Sequence, residues 1–320
     1  MLSPEDLYDL VDVIQPADEP DATDVPAQTG RPVLLHALTG FVDAGHAANL
    51  TVQHLLSELP ARDVAHFDVD QLIDYRGRRP RMTFRSDRFT DIDQHRLTVH
   101  ALTDEAGQEF YLLSGPEPDF QWERFIAAVL QLVDHLGIGL VAGIHGIPWA
   151  APHTRPIGLT SHASSRELIA GRPRWIGDVD VPGHVGALLE LRATQAGHDA
   201  VGFTAHVPHY LAEAEFPPAA TALLEAVADV ARLSLPTAAL REAGTSVLTQ
   251  IDAQVADSPQ TLHAVQGLER TYDAVTAGRS LSGTGLLSPT LPDDEMPGGD
   301  ELAAQVEDFL RGLEETPGDD

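Results

Sequence analysis

The chain has 320 residues, 43% of them apolar, so it is long enough to bury a substantial hydrophobic core. It carries 49 acidic side chains against 20 basic ones, all arginine, for a formal net charge of −29. An acidic surface of this kind argues against nucleic-acid backbones and anionic membranes as partners. Cysteine and lysine are absent, which excludes disulfides, thiol nucleophiles, zinc–thiolate sites, a phosphate-loop lysine and a Schiff base.

Acidic segments mark both ends of the chain. Residues 1–30 carry eight acidic and no basic side chains, and residues 281–320 carry eleven acidic side chains beside Arg311. The sequence predicts a poorly ordered acidic tail over 1–30, an α/β core with C-terminal helices over 31–277, and a Gly-, Pro- and Ser-rich linker over 278–299. No leader-like segment and no run of eighteen apolar residues occurs, which predicts a cytoplasmic protein with no membrane partner.

A short amphipathic helix is predicted over residues 300–314, before an acidic end over 315–320. Five apolar residues fall on one face at helical spacing: Leu302, Val306, Phe309, Leu310 and Leu313. A lone helix of this length is not stable in water. We therefore expect it to dock on the core or on a partner.

The first elements of the core form a predicted β-α-β unit. An apolar run over 32–38 indicates a buried strand, apolar positions over 48–59 recur at helical spacing with Asp43 as a candidate N-cap, and 64–69 indicates a second strand. These two strands are expected to be parallel and joined by a right-handed crossover. Residues 70–118 contain an arginine-rich stretch and predict an insertion of short strands, at 97–102 and 109–113 among others.

Helices and strands alternate from residue 119 onward. The patterns predict a helix over 119–136, a strand over 138–144, a long proline-containing loop, a helix over 185–196, a strand over 200–205 and a helix from Pro217. Two further helices, around 240–255 and 259–275, predict a C-terminal helical hairpin. The fold class that follows is α/β, with a Rossmann-like core sheet and flanking helices.

Three loops follow predicted strands, where open α/β sheets bind their ligands. The first loop, over 39–45, joins a flexible turn to helix N-terminal amides that can hold an anion. The second loop, over 145–156, is held between prolines, and the third covers 206–210. Together they supply the candidate ligand-binding or interface residues, which are Gly40, Asp43, Ala44, Gly45, His145, His153, Thr154, Arg155 and His209.

Each of these features has a simpler structural interpretation. Asp43 serves equally as an N-cap, and Arg155 can clamp a carboxylate or phosphate but is more often paired with an acidic residue of its own chain. The histidines lack metal-ligand spacing, so no metal, cofactor or catalytic residue is predicted. The arginine-rich stretch at 76–88 suits anions, although a charged strand face is the commoner role.

Four short motifs, in order along the chain, resemble bacterial members of the second proteasome-assembly-chaperone family. They are Gly40–Gly45, Asp74-Tyr75-Arg76 with Arg79-Pro80, Pro152–Pro156 and Val207–Tyr210. The resemblance covers about residues 31–275, and residues 300–310 resemble the terminal helix of those proteins. It implies a fold related to nucleoside phosphorylases and to peptidyl-hydrolase-like α/β proteins, and it does not imply catalysis.

The resemblance also implies partners. Members of this family are commonly homo-oligomers, with a trimer among the assemblies of related folds, and the eukaryotic and archaeal relatives act in protein assembly. Those relatives dock into the proteasome ring through a C-terminal hydrophobic-Tyr-any tripeptide, whereas this chain ends Gly318-Asp319-Asp320. The leading hypothesis is a non-catalytic protein-assembly or interaction protein. The alternative is a binder, hydrolase or phosphorylase-like enzyme that takes a nucleoside or an amide in the cleft at the carboxyl ends of the strands.

Overall fold

An eight-stranded mixed sheet forms the centre of the computed structural model, which describes residues 3–11, 31–173 and 178–282. The strand order is β1-β3-β6-β7-β2-β8-β10-β9, and a separate two-stranded sheet pairs β4 with β5. The strands are β1 (Tyr8–Leu10), β2 (Val33–Thr39), β3 (Ala61–Phe67), β4 (Met82–Arg85), β5 (Arg88–Ile92), β6 (Thr98–Thr103), β7 (Glu109–Pro116), β8 (Leu140–Trp149), β9 (Leu159–Ala163) and β10 (Asp199–Pro208).

Seven α-helices occur in the described residues. They are α1 (Ala47–Glu58), α2 (Val69–Leu72), α3 (Trp122–His135), α4 (Val185–Ala196), α5 (Pro217–Ala231), α6 (Ala238–Asp257) and α7 (Pro259–Ser282). Helices α1, α5 and α6 cover one face of the main sheet, and α3 and α4 cover the other. The expected α/β fold with flanking helices and a C-terminal helical hairpin is confirmed.

The four central strands run parallel, and this arrangement positions the predicted loops. Strands β7, β2, β8 and β10 are neighbours paired in parallel, so their carboxyl ends lie at one edge of the sheet. They are buried on both faces, which explains why each is a nearly continuous apolar run in the sequence. Below, this side of the sheet is called the carboxyl edge.

Two expectations about the strands are corrected by the sheet order. Strands β2 and β3 run in the same direction but are not neighbours, because β6 and β7 lie between them. The strands of the predicted insertion, β6 and β7, are therefore inside the main sheet, and only the β4–β5 hairpin stands apart. Pairing between strands far apart in the chain leaves no local signal, which is why periodicity alone missed this order.

The predicted segment boundaries also change. Residues 4–7 form a short 3₁₀ helix and β1 pairs with β3, so the acidic tail predicted over 1–30 is wrong for residues 4–10. Leu7 is fully buried in the core, and its apolar burial holds this segment in place. Helix α7 continues to Ser282, past the predicted linker start at 278. The predicted helix over 300–314 and the acidic end over 315–320 lie outside the described residues.

Candidate functional site

The three predicted loops lie side by side at the carboxyl edge, at the ends of β2, β8 and β10. The strands are longer than predicted, so residues 145–149 belong to β8 and residues 206–208 to β10. In the first loop, Asp43 accepts hydrogen bonds from the backbone N–H of Ala48 (2.7 Å) and Asn49 (3.0 Å). Burial raises the pKa of Asp43, while these two hydrogen bonds act in the opposite direction. The carboxylate thus satisfies the free amides at the start of α1, in the capping role that the sequence offered as the simpler alternative.

The rest of the first loop is packed against the protein. The Gly45 N–H donates to the Ala212 carbonyl (2.7 Å), and the Gly45 carbonyl accepts from Phe216 (2.9 Å). Gly45 has a φ of 67°, and a Cβ there would lie 2.9 Å from the Phe216 side chain, so glycine is required on both counts. The Ala44 carbonyl lies against Gly146, where a Cβ would approach it to 2.4 Å. These contacts leave the turn closed by its own chain.

Gly40 lies beside Arg78, a member of the arginine-rich stretch at 76–88. A Cβ at Gly40 would come within 2.8 Å of the Arg78 guanidinium. That guanidinium donates to the Glu117 carbonyl (2.7 Å) and pairs with Asp119 (2.9 Å). Glu117 in turn accepts the N–H of Val185 at the start of α4 (2.5 Å), and burial raises its pKa. Gly40 therefore allows a partly exposed ion pair and its hydrogen bonds to close over the end of β7.

His145 lies within strand β8 and belongs to a group of histidines between the sheet and α4. We call this group the histidine layer; its members are His36, His145, His162 and His184. His145 contacts Thr204 (Nε2 to Oγ1, 3.3 Å), and its ring lies 5.1 Å from that of His184. Burial lowers the pKa of both His36 and His145 to about 3. These two rings are therefore neutral at physiological pH.

His153 joins the second and third loops to the helical hairpin. Its backbone N–H donates to the Tyr210 hydroxyl (2.9 Å), and that hydroxyl lies 2.6 Å from His153 Nδ1. On the other side of the ring, Nε2 lies 3.1 Å from Asp252 of α6. The hydroxyl donates to Nδ1, and the Nε2 proton then faces the carboxylate. Burial raises the pKa of Tyr210, which keeps its hydroxyl protonated.

The next two residues attach α7. Thr154 donates to Glu269 (2.5 Å), and Arg155 forms a two-pronged pair with Asp273, at 2.8 Å from Nε and 2.7 Å from Nη2. A third bond joins Arg155 to Glu269 (3.1 Å). The hydrogen bond to Asp273 raises the pKa of Arg155, and the same bond lowers that of Asp273. Arg155 is thus paired with acidic residues of its own chain.

His209, the last predicted residue, lies in the 3₁₀ turn that follows β10. Burial lowers its pKa, while a hydrogen bond to the Trp149 backbone acts in the opposite direction. The nine predicted residues are thus gathered at the carboxyl edge, but their polar groups point to backbone, helix ends and acidic side chains of the same chain. None of the nine is among the residues that line the cavity described next.

A cavity lies beside them that the sequence analysis did not predict. It has a volume of about 320 Å³ between β9 and α7, and its walls include Trp149, Arg172, His206 and Tyr272. The Trp149 and His206 rings are stacked with centroids 4.2 Å apart. Trp149 and His206 belong to two of the predicted loops, but the opposite wall is supplied by α7, which lies more than 100 residues beyond Trp149, so the sequence did not predict an enclosed cavity. Among the acidic residues that bind these loops, Glu269 and Asp273 could have been noticed in the sequence, because residues four positions apart share one helix face.

Within residues 3–11, 31–173 and 178–282, no group of three or more His, Cys, Asp or Glu side chains is arranged to hold a metal ion. None of the helices in that part of the chain has the length and apolar character that crossing a bilayer requires.

The fold and these contacts define an α/β protein in which the motifs at the carboxyl edge hold a helical hairpin. Residues 37–255 match the PAC2 family, and the chain belongs to that family. The resemblance drawn from the four motifs is thereby confirmed. None of the curated proteins matches this chain.

Three solved structures show how the chain compares with relatives. A Mycobacterium tuberculosis protein of unknown function is 46% identical over 87% of this chain and 92% of its own, with a TM-score of 0.79. A Corynebacterium glutamicum protein of unknown function is 35% identical over 85% and 99%, with a TM-score of 0.77. A second M. tuberculosis protein, described as a proteasome-assembly chaperone homologue, is 25% identical over 73% and 99%, with a TM-score of 0.67.

Proposed function

We propose that this protein is a non-catalytic interaction protein that binds itself and other proteins, as an assembly chaperone does. The observation that carries the proposal is that the candidate ligand groups are bound within the chain. Asp43 is used by α1, His153 by Tyr210 and Asp252, and Arg155 by Asp273. A ligand at these residues would have to displace buried or charge-assisted hydrogen bonds. Its own contacts would then have to offset the free energy of breaking them.

The proposed partners follow from the family and from the charge of the surface. The M. tuberculosis relative described as a proteasome-assembly chaperone homologue makes proteasome subunits the first candidates. A homo-oligomer, with a trimer as the first stoichiometry to test, is the proposed state of the free protein. The net charge of −29 favours partners with basic docking surfaces and slows encounters with acidic ones.

One observation supports the alternative, a small-molecule protein acting on a nucleoside or an amide. The 320 Å³ cavity lies next to the carboxyl edge, and its volume falls within the range of about 300–1,000 Å³ usual for ligand sites. The stacked Trp149 and His206 rings offer a flat wall on which a planar base or amide can lie.

Light scattering and affinity capture test the proposal directly. The full chain, immobilised at low density, is exposed to extract of its own cells, and stoichiometric proteins are identified by mass spectrometry. We expect a defined oligomer and at least one captured protein at a fixed ratio. A monomer that retains no stoichiometric protein would contradict the proposal.

Thermal unfolding with nucleosides and amides tests the alternative. The wild type is compared with Trp149→Ala, which removes the flat wall, and with Trp122→Ala as a control outside the cavity. A ligand that raises the melting temperature of the wild type and of Trp122→Ala, but not of Trp149→Ala, would favour the small-molecule function.

A further inference from the structure

The β4–β5 hairpin carries a group of four exposed large apolar side chains. Met82 pairs with Ile92 and Phe84 with Phe89 across the two strands, so all four lie on one face. Their exposed fractions are 49%, 38%, 59% and 65%. The Phe84 and Phe89 rings meet edge to face with centroids 5.1 Å apart. We call this surface the hairpin face.

Such a face requires a covering partner. A lone two-stranded hairpin is marginally stable in water, and this one is hydrogen-bonded to no strand of the main sheet. A contiguous exposed apolar patch usually marks a binding surface. The hairpin face is therefore expected to bind a partner.

Charge restricts what can bind there. Residues 76–96 contain seven arginines and three aspartates, a net +4 in a chain of net −29. Among the described residues, only Arg78 of these seven forms an ion pair, with Asp119. Two hairpin faces packed together would place like charges side by side, which is unfavourable. The occupant is therefore expected to be both apolar and acidic.

The C-terminal segment of this chain has that chemistry. Residues 300–314 contain five acidic side chains and Arg311, a net −4, and the five apolar residues of its predicted helix share one face. We propose that this segment docks on the hairpin face of its own chain. Apolar side chains then cover Phe84 and Phe89, and the flanking carboxylates meet the unpaired arginines. The inference does not depend on the proposed function.

The connection is long enough for docking within one chain. Helix α7 is attached just before the start of β9, where Tyr272 donates to the Pro156 carbonyl (3.1 Å). Arg78, which precedes β4, donates to the Glu117 carbonyl just after β7 and so attaches the β4–β5 hairpin there. The start of β9 and the end of β7 are four positions apart in the sheet, or about 19 Å. The 17 residues from 283 to 299 span up to about 58 Å when extended.

Paired cysteines test the contact in the full chain, which has no cysteine of its own. Phe84→Cys is combined with Phe309→Cys, and mild oxidation is followed on a non-reducing gel. The control pairs Leu191→Cys with Phe309→Cys, because Leu191 on α4 is also about half exposed (50%) but lies on a different element. We expect an intrachain disulfide that forms on the order of tenfold faster in the hairpin pair than in the control.

Charge reversal provides a second readout. Arg79→Glu with Arg81→Glu should slow disulfide formation in the hairpin pair, and adding Glu307→Arg with Asp308→Arg should restore it. Equal rates in the hairpin and control pairs would overturn the proposal. A disulfide found mainly between two chains would also overturn it, because the segment would then cover a second copy.

Discussion

The buried histidines are the most consequential single residues. His36 is 5% exposed, and its Nε2 has no hydrogen-bond partner among the described residues. Its ring packs over Gly143, where a Cβ would approach it to 2.6 Å. A charged imidazole cannot be solvated in such a place, so its pKa is lowered to about 3. Protonation of His36 therefore favours the unfolded state.

We predict that the free energy of unfolding decreases as the pH is lowered from about 6.5 towards 3. In this range the unfolded chain binds protons at His36 and His145, whereas the folded chain does not, because the pKa of each is about 3 in the fold. Replacing His36 with leucine should reduce the slope by up to about 1.4 kcal/mol per pH unit.

Urea unfolding at pH 7.5, 6.5, 5.5 and 4.5 measures these slopes. His135→Leu, at an exposed position near the end of α3, serves as the matched control. A slope in His36→Leu as steep as in the wild type and in the control would show that His36 does not titrate with unfolding.

Gly146 allows the first loop to lie against β8. A Cβ there would approach the Ala44 carbonyl to 2.4 Å, and backbone of this kind cannot move aside easily. We predict that Gly146→Ala lowers the free energy of unfolding by about 1–3 kcal/mol. Gly183→Ala is the control, because no atom lies within 4 Å of a Cβ at that position. Equal urea midpoints for the two variants would contradict the prediction.

The helical hairpin formed by α6 and α7 is held to the core by one short motif, residues 153–156. Residues 153–156 bind α6 through Asp252 and α7 through Glu269, Asp273 and Tyr272. Over residues 259–277 of helix α7, the buried apolar side chains are those of Val265 and Leu268. Polar contacts with residues 153–156 therefore contribute much of the attachment of α7 to the core. This motif thus has a structural role.

We predict that Arg155→Met loosens α7 selectively. The variant keeps the apolar part of the side chain but leaves Asp273 and Glu269 without their cation. Amide hydrogen exchange in α7 should become several-fold faster, while exchange in β2 and β8 stays unchanged. Arg241→Met, which removes the exposed pair with Glu225, should have no measurable effect. Uniform acceleration throughout the protein would instead indicate global destabilisation.

At the scale of the whole molecule, excess negative charge opposes the folded state. A net charge of −29 on 320 residues produces self-repulsion that unfolding relieves. We predict that raising NaCl from 20 to 300 mM increases the melting temperature by a few degrees, because the added ions screen these charges. KCl at equal ionic strength should act identically. A melting temperature that stays flat, or that rises with only one of the cations, would contradict simple screening.

The sequence by itself determined the element types and the family. Apolar periodicity marked β2, α3, β8 and α5, because burial imposes a period on each element separately. The motifs of the three loops identified the family, and their position after parallel strands placed them together at one edge. Even the structural roles of Asp43 and Arg155 were among the alternatives, because capping and ion pairing follow from residue chemistry.

Only the tertiary structure decided which surfaces those residues meet. The insertion of β6 and β7 into the sheet and the pairing of β1 with β3 depend on contacts between residues distant in sequence. The attachment of α7 to Arg155 joins residues 118 positions apart. Such contacts depend on the register and packing of the whole core, and no local pattern encodes them. For that reason the sequence offered capping and ion pairing as possible roles, whereas only the tertiary structure decided the partner of each residue.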